Sequence, residues 1–471
     1  MLPYEVFFFA LLFFILGILF FNLNLGILVF IFNFLIFLGF LVSFLILKNK
    51  KFLYLAFLSF LILGGALYVS FYSNSFYFTS QKIIPSKIKG LITKIINTEP
   101  HLLFVVHNSL GNFLVQAYPT LILKEGEEIV FLGKGKEPTA LPTHFQKEKI
   151  VAYYSYPQII SIGESNSFYG KLLKIKNNLV NQIKFFLPQK EATFLAGLLF
   201  GVKNNFSSDF NLAMKKSGTT HLVALSGYNI SIVVVFFMMI FTFFLPRFLS
   251  VLGSVLGVII FVLMTGAESS VVRAAIMGIL ILFANEKGHL FDVRNIIILS
   301  AFLMLIFNPY LLVFDVGFEL SFLALVGIVY LKPLLFYQTQ KEKAQTENFF
   351  NWKDAIQETI SAQVLVFPLL LNTFGYFSLV SILSNALILW LIPITMFLGF
   401  LSVGAGLIFK FLGMIFSWLV FPLLKIETFI IEFFGSLNFG LQWKANFWFF
   451  VLYYLILGIL ILWRRKFIKI F

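Results

Sequence analysis

The chain has 471 residues, 60% of them hydrophobic and 12% charged, with a mean hydropathy of +0.95 and a formal net charge of +14. That balance excludes a soluble globular domain and points to a chain that crosses a membrane many times, each crossing needing about 20 apolar helical residues. Cysteine is absent, which removes disulfides and thiolate metal sites, and the surplus of lysine favours anionic partners, lipid head groups ahead of nucleic acid.

Residues 5 to 21, EVFFFALLFFILGILFF, follow no basic segment and precede further spans, so they read as a retained helix and not a cleaved signal. A second span covers about 25 to 47, the basic KNKK follows at 48 to 51, and a third span covers about 52 to 70. The positive-inside rule puts KNKK in the cytoplasm, hence the N-terminus inside and the chain after the third span outside; the C-terminal WRRKFIKIF is expected inside as well. From about 82 to 165 the pattern changes to short alternating stretches, KIKGLITKII, HLLFVVHN, GNFLVQAY, EGEEIVFLGKG and KIVAYYSYPQIISIG. Five strands with turn signals between them fit a small OB-like barrel, and its small net charge leaves a plain structural barrel as strong a reading as a strand-binding one.

Residues 168 to 187 place Phe168, Leu172, Leu179 and Ile183 near one helical face and lysines 171, 174, 176 and 184 elsewhere, the pattern of a helix lying along a membrane surface. Candidate spans then fall near 221–245, 248–265, 270–285, 294–308, 313–335, 356–371, 378–398, 400–420 and 446–463, with 192–202 and 421–437 read as re-entrant or interfacial and a polar loop at 338–354. The fold class is thus a polytopic α-helical membrane protein with an inserted small all-β, OB-like extracytoplasmic domain. Its expected parts are residues 1–75 (three helices), 82–165 (β domain), 166–190 (amphipathic interfacial helix) and 191–471 (helical membrane domain).

Polar residues at membrane depth carry the functional signal, because an ionisable group near the bilayer centre costs on the order of 3 kcal/mol on insertion scales. In SGTTHLVALSGYN (217–229), His221, Ser226, Gly227 and Asn229 fall within about two helical turns, either as the polar start of a span or as a broken helix lining a cavity. Arg273, in TGAESSVVRAAIMG, wants a carboxylate partner unless it snorkels to the interface. Asp315 and Glu319 are four apart and so share a face if helical, where two like charges need pairing or a proton; we expect Arg273 to pair with one of them. Gln363, Asn372 and Asn385 interrupt the apolar run 358–388, in which Pro368 lacks a backbone donor. No GxxxxGK[ST] stretch exists, and the five histidines form no metal-binding cluster, so neither a P-loop motor nor a metal centre is expected.

Four of these blocks occur in a familiar order. GLLFGVKNNFSSDFNLAMKKSGTTHLVALSGYNISIVVVF (197–236) resembles the opening signature of the ComEC competence membrane domain, followed by MTGAESSVVRAAIMGILILFA (264–284), NPYLLVFDVGFELSFLALVGIVYL (308–331) and SAQVLVFPLLLNTFGYFSLVSILSNALI (361–388), each similar to a family block. The resemblance implies a channel carrying single-stranded DNA across the bacterial cytoplasmic membrane during natural transformation, with the OB-like domain outside. It implies no enzyme activity, catalytic residue, metal or cofactor in this chain. The partners it implies are single-stranded DNA, membrane lipids, an extracytoplasmic DNA receptor, and a cytoplasmic translocase or helicase with single-strand-binding proteins; a homodimer is an arrangement it permits. Asn229 stands where the family often has a second histidine, Glu319 where glutamine is common, and Glu268 where a small residue or proline is usual. The H-x-H-x-D-H of the metallo-β-lactamase-like domain found in many members is missing, so the expectation is a form lacking that domain. The alternative from the residues alone is a proton-coupled transporter of a small solute or lipid-linked precursor, with Asp315 and Glu319 as proton carriers.

Overall fold

The computed structural model describes residues 3–24, 27–80, 85–97, 101–121, 123–137, 143–203, 206–286, 292–336, 352–437, 439–443 and 446–468. The polar loop expected at 338–354 lies outside these residues up to position 351. Among the described residues eight helices are long and apolar enough to cross a membrane, or nine if Ser381–Ile388 and Ile392–Ile408, bent by 49°, form one span. The protein is a polytopic helical membrane protein. Its contacts divide it into two compact units, Met1–Ile175 with Phe241–Phe318, and Lys176–Ile240 with Glu319–Phe471.

The first unit begins with α1 (Pro3–Asn22), α2 (Ile27–Leu47) and α3 (Lys50–Ser80). Helices α1 and α3 approach so closely that a Cβ on Gly17 would overlap the Ile62 carbonyl, and one on Gly65 the Phe14 carbonyl. Glycine seams of this kind let backbones touch in lipid, where apolar burial gives helices no reason to associate. The same unit holds α9 (Arg247–Met264), α10 (Ser269–Glu286), α11 (Val293–Phe307) and the single turn α12 (Leu311–Phe314). The last carbonyls of α11 lack helical partners. Tyr72 and Lys149 supply donors to the Phe307 carbonyl at 3.1 and 3.2 Å, and the Tyr68 hydroxyl donates to that of Ile306.

Between α3 and the later helices lies a six-stranded sheet: β1 (Lys87–Asn97), β2 (Leu102–Asn108), β3 (Gly111–Ala117), β4 (Glu127–Leu132), β5 (Ile150–Ser155) and β6 (Gln158–Glu164). The order is β5-β3-β2-β1-β4-β6, with β3 and β5 parallel and the other neighbours antiparallel. The fifth strand expected from the sequence is in fact two. Tyr156 takes a positive φ of 49° and Pro157 has no donor for a ladder, so the strand breaks there. Because β5 and β6 are the two edges of the sheet, that short break joins one edge to the other. Alternate residues, among them Ile88, Phe104, Phe113, Phe131 and Tyr154, fill one core, while Val105, Leu114 and Ile150 form a second on the opposite side. The Tyr154 hydroxyl donates to the Pro85 carbonyl at 2.7 Å, and burial pushes its phenol up to about 12.

Helix α4 (Phe168–Phe186) buries Leu172, Leu179 and Ile183 as the spacing predicts, but exposes Phe168 and buries Lys176. The second unit then contains α5 (Gln189–Phe200), α6 (Ser208–Ser217), the turn α7 (Thr220–Val223), α8 (Gly227–Phe244), and α13 (Val316–Val326), which continues through a π-turn, Gly327–Leu331, into α14 (Lys332–Leu335). It is completed by α15 (Trp352–Phe374), β7 (Tyr376–Ser378), α16 (Ser381–Ile388), α17 (Ile392–Ile408), α18 (Lys410–Ser436), β8 (Gly440–Gln442) and α19 (Phe447–Ile468). Two expectations are corrected here. Every residue of α5 from Ala192 to Phe200 is buried, so this part of 192–202 packs as a core helix and does not lie at an interface. The chain turns at Phe409, not near 399, and 421–437 forms the second half of α18 instead of a separate re-entrant segment. The turn is held by the Ser402 and Ser417 hydroxyls, 2.6 Å apart, and by the Ser402 hydroxyl donating to the Gly413 carbonyl.

Candidate functional site

The polar stretch 217–229 forms a break between two helices of the second unit. Ser207 caps α6 at its start by accepting from the Phe210 amide, and Gly218 ends it in the left-handed conformation, φ 74°. Gly218 is also where another segment comes closest, since a Cβ there would overlap Ser381. The orphan carbonyls at the end of α6 are met by hydroxyls from that segment. Ser378 donates to the Lys216 carbonyl at 2.6 Å and Ser384 to the Ser217 carbonyl at 2.7 Å. Gln363 extends the seam by donating to the Ser381 hydroxyl at 2.8 Å.

The candidates in 217–229 divide into two kinds. Asn229, 1% exposed, donates to the carbonyls of Leu198 at 3.4 Å and Leu222 at 3.2 Å, in the last turns of α5 and α7, and its oxygen accepts from the Ser226 hydroxyl at 3.1 Å. One amide thus donates to a carbonyl at each of two helix ends. Ser226 precedes Gly227, the first residue of α8, and holds the N-cap position with Asn229 at the third helical site, a variant of the capping box. His221 differs: its ring is exposed and Nδ1 lies 3.1 Å from the Gly218 carbonyl. The same unit carries the exposed Lys215, whose ammonium sits 5.8 Å from the centre of the Tyr376 ring, and the exposed Thr220.

Asn385 is buried in α16, and Asn372 is exposed near the end of α15. Pro368 lies within a continuous α15 and, having no N–H, frees the Val364 carbonyl one turn earlier. The Tyr453 hydroxyl on α19 donates to that carbonyl and the Tyr454 hydroxyl to the neighbouring Leu365 carbonyl, each at 2.8 Å, partners 89 residues away that no local pattern announces.

Asp315 and Arg273 belong to the first unit, and Glu319 opens the second unit's part of α13. Asp315 is not helical. It takes an extended conformation, φ −122°, between α12 and α13, and accepts from the Gly317 amide at 2.9 Å as an N-cap, so the shared helix face expected for Asp315 and Glu319 does not form. Its carboxylate also meets Lys147 at 3.1 Å and the Ser269 hydroxyl. Lys147 lies in the 3-10 turn Thr143–Glu148, whose backbone accepts from the Asn308 amide at 2.9 Å. Lys94 of β1 pairs with Glu148 at 2.8 Å, extending the charge row into the sheet. Arg273 is buried on α10. Among the described residues no group of three or more His, Asp or Glu side chains is placed to hold a metal ion.

A helical membrane protein with a six-stranded sheet between its spans and a polar, hydroxyl-tied helix break is the class these observations define. A family model described as Competence protein matches residues 198–467, which include that break, and the chain belongs to this family. ComE operon protein 3 of Bacillus subtilis (strain 168) is 28% identical over 236 residues, covering 50% of this chain and 29% of that protein. The chain therefore spans under a third of that relative's length. No solved structure matches it.

Proposed function

We propose that the protein is a DNA-uptake channel that carries single-stranded DNA across the bacterial cytoplasmic membrane during natural transformation. Membership of the Competence family over 198–467 is the observation that carries this reading. The local chemistry suits it: the segment of the helix break carries an exposed cation at Lys215, which lies by the half-buried Tyr376 ring, and an exposed His221, groups of the kind that meet phosphates and base faces without reading base edges. His221 is the candidate for contact with the strand. Ser226, Gly227, Asn229, Gln363 and Asn385 shape the break, and Asn372, Arg273, Asp315 and Glu319 are polar candidates along the route.

In this reading the sheet is an OB-like barrel outside the membrane, supported by the parallel β3–β5 pair and by edges joined at Tyr156 and Pro157. Both termini lie in the cytoplasm. The chain moves the strand without catalysis of its own, receiving it from an extracytoplasmic receptor and passing it to a cytoplasmic translocase and strand-binding proteins. Labelled DNA supplied to a deletion strain, with and without this chain, tests the proposal when surface, external and internal label are scored separately. Internal label that depends on the chain is expected; internal label unchanged by its loss refutes the channel.

A further inference from the structure

Among the described residues of the second unit, Glu427 is the most deeply buried ionisable side chain, 0% exposed in the middle of α18. One carboxyl oxygen accepts from the Thr395 hydroxyl at 2.7 Å, and Thr395 is itself 0% exposed. The other oxygen has no hydrogen-bond partner among the described residues. Leu424 and Ile431, a turn before and after it, are fully buried.

Among the described residues no cation pairs with Glu427. Helix α17 has no ionisable residue, and neither has α16. On α5 the charged groups are Lys190 and Glu191, and Lys190 pairs with Glu432 at 2.6 Å. Asp209, Lys215 and Lys216 of α6, and Lys410 and Lys425 of α18 itself, form no ion pair with Glu427. An ionised carboxylate that is 0% exposed and has a single hydroxyl partner is strongly disfavoured, and the group takes up a proton instead. The oxygen left without a partner then bears an O–H whose acceptor is missing in this packing, which marks the site as one that another arrangement satisfies better.

Thr395 stands in the first turn after the 49° bend between α16 and α17, so its distance from Glu427 depends on that angle. Pro422, five residues before Glu427, removes one backbone bond from α18 and loosens the opposite wall. We propose that Glu427 is a proton-binding site within the membrane: it holds its proton while the α17–α18 contact is closed, and gives it to water when a change at the bend parts Thr395 from it. The step transfers one proton from the carboxyl oxygen to an entering water and back, and no other bond changes. This holds whatever the cargo, and it gives the unit a chemical input for movement.

Infrared spectroscopy of the full chain in lipid vesicles tests it. At pH 7 the wild type should show a protonated-carboxyl C=O band that Glu427→Gln removes and Thr395→Val shifts in frequency, because the hydroxyl bonds that oxygen. Raising the pH while the helix signal persists should abolish the band reversibly. Absence of a Glu427-dependent band at pH 7 overturns the proposal, and so does a band that stays unchanged across the whole range in which the protein remains folded, since the acid would then be only structural. If Glu427→Gln fails to insert, the Thr395→Val shift still identifies the carboxyl, and an unshifted band overturns the assignment.

Discussion

Replacing Asn229 with alanine removes two donors, to the Leu198 and Leu222 carbonyls, and one acceptor, for the Ser226 hydroxyl. Side-chain hydrogen bonds between membrane helices average about 0.6 kcal/mol, and a carbonyl left buried without a donor costs more than the bond itself. Three bonds of 3.1 to 3.4 Å, with two helix ends stripped of their partner, therefore come to about 2 kcal/mol, which is on the order of 30-fold in the ratio of folded to unfolded protein. Denaturant midpoints followed by circular dichroism in detergent, together with membrane abundance, measure that loss. His221→Ala is the companion: it removes one bond from an exposed ring and should change stability by under about 0.5 kcal/mol. Under the proposed function, Asn229→Ala lowers uptake through abundance, whereas His221→Ala lowers uptake at normal abundance. Normal stability in Asn229→Ala with uptake lost would refute the capping argument and make Asn229 a residue that faces the cargo.

Tyr453→Phe should cost about 1 kcal/mol by stripping the donor from the Val364 carbonyl, and much less in a Pro368→Ala background, where the restored N–H takes that carbonyl; additive costs in a double-mutant cycle would break the link. Gly218→Ala forces a left-handed residue to carry a side chain against Ser381, so a loss of about 2 kcal/mol is expected in the same unfolding assay, and a neutral result would mean that the α6 end does not lie against α16. Burial opposes the Lys94 ammonium, but Glu148, with smaller contributions from Glu268 and Asp315, outweighs it and raises the Lys94 pKa. A raised folded-state value makes this contribution complete below the ordinary lysine pKa of about 10.4 and lost as pH rises through the folded value, so melting of wild type and Lys94→Gln should converge above that range. Asp315→Asn keeps the N-cap but not the ion pair with Lys147, so amide exchange in Thr143–Glu148 should quicken while α13 stays protected; unchanged exchange would show the pair to be idle.

How far the sequence could be read depends on what each residue answers to. The apolar runs answer to the bilayer, and length with hydropathy alone located α1 to α3, α8, α9 and α15. The alternation in 87–163 answers to the pleat of a sheet and was equally legible, except at Tyr156 and Pro157, where a break inside one apolar stretch turned one strand into two. The sequence marks polar residues without dividing them into those that line a route and those that end a helix, because a side chain at membrane depth reads the same in either role. Asn229, Ser378 and Ser384 are spent on carbonyls that helical geometry leaves open, and which helix end lies within reach is decided by tertiary packing. Asp315 was placed on a helix by its spacing from Glu319, yet an aspartate before a glycine two residues on is a cap in waiting, and that local competition outweighed the period. Glu427 escaped notice for the opposite reason. It lies between Lys425 and Glu432 in a segment that looked interfacial, and only the close packing of α18 against α17 turns an ordinary charged residue into a carboxyl shut away from water. Burial of a single group is thus the property that composition and spacing reveal least, and in a membrane protein it is also the one that most changes what the group can do.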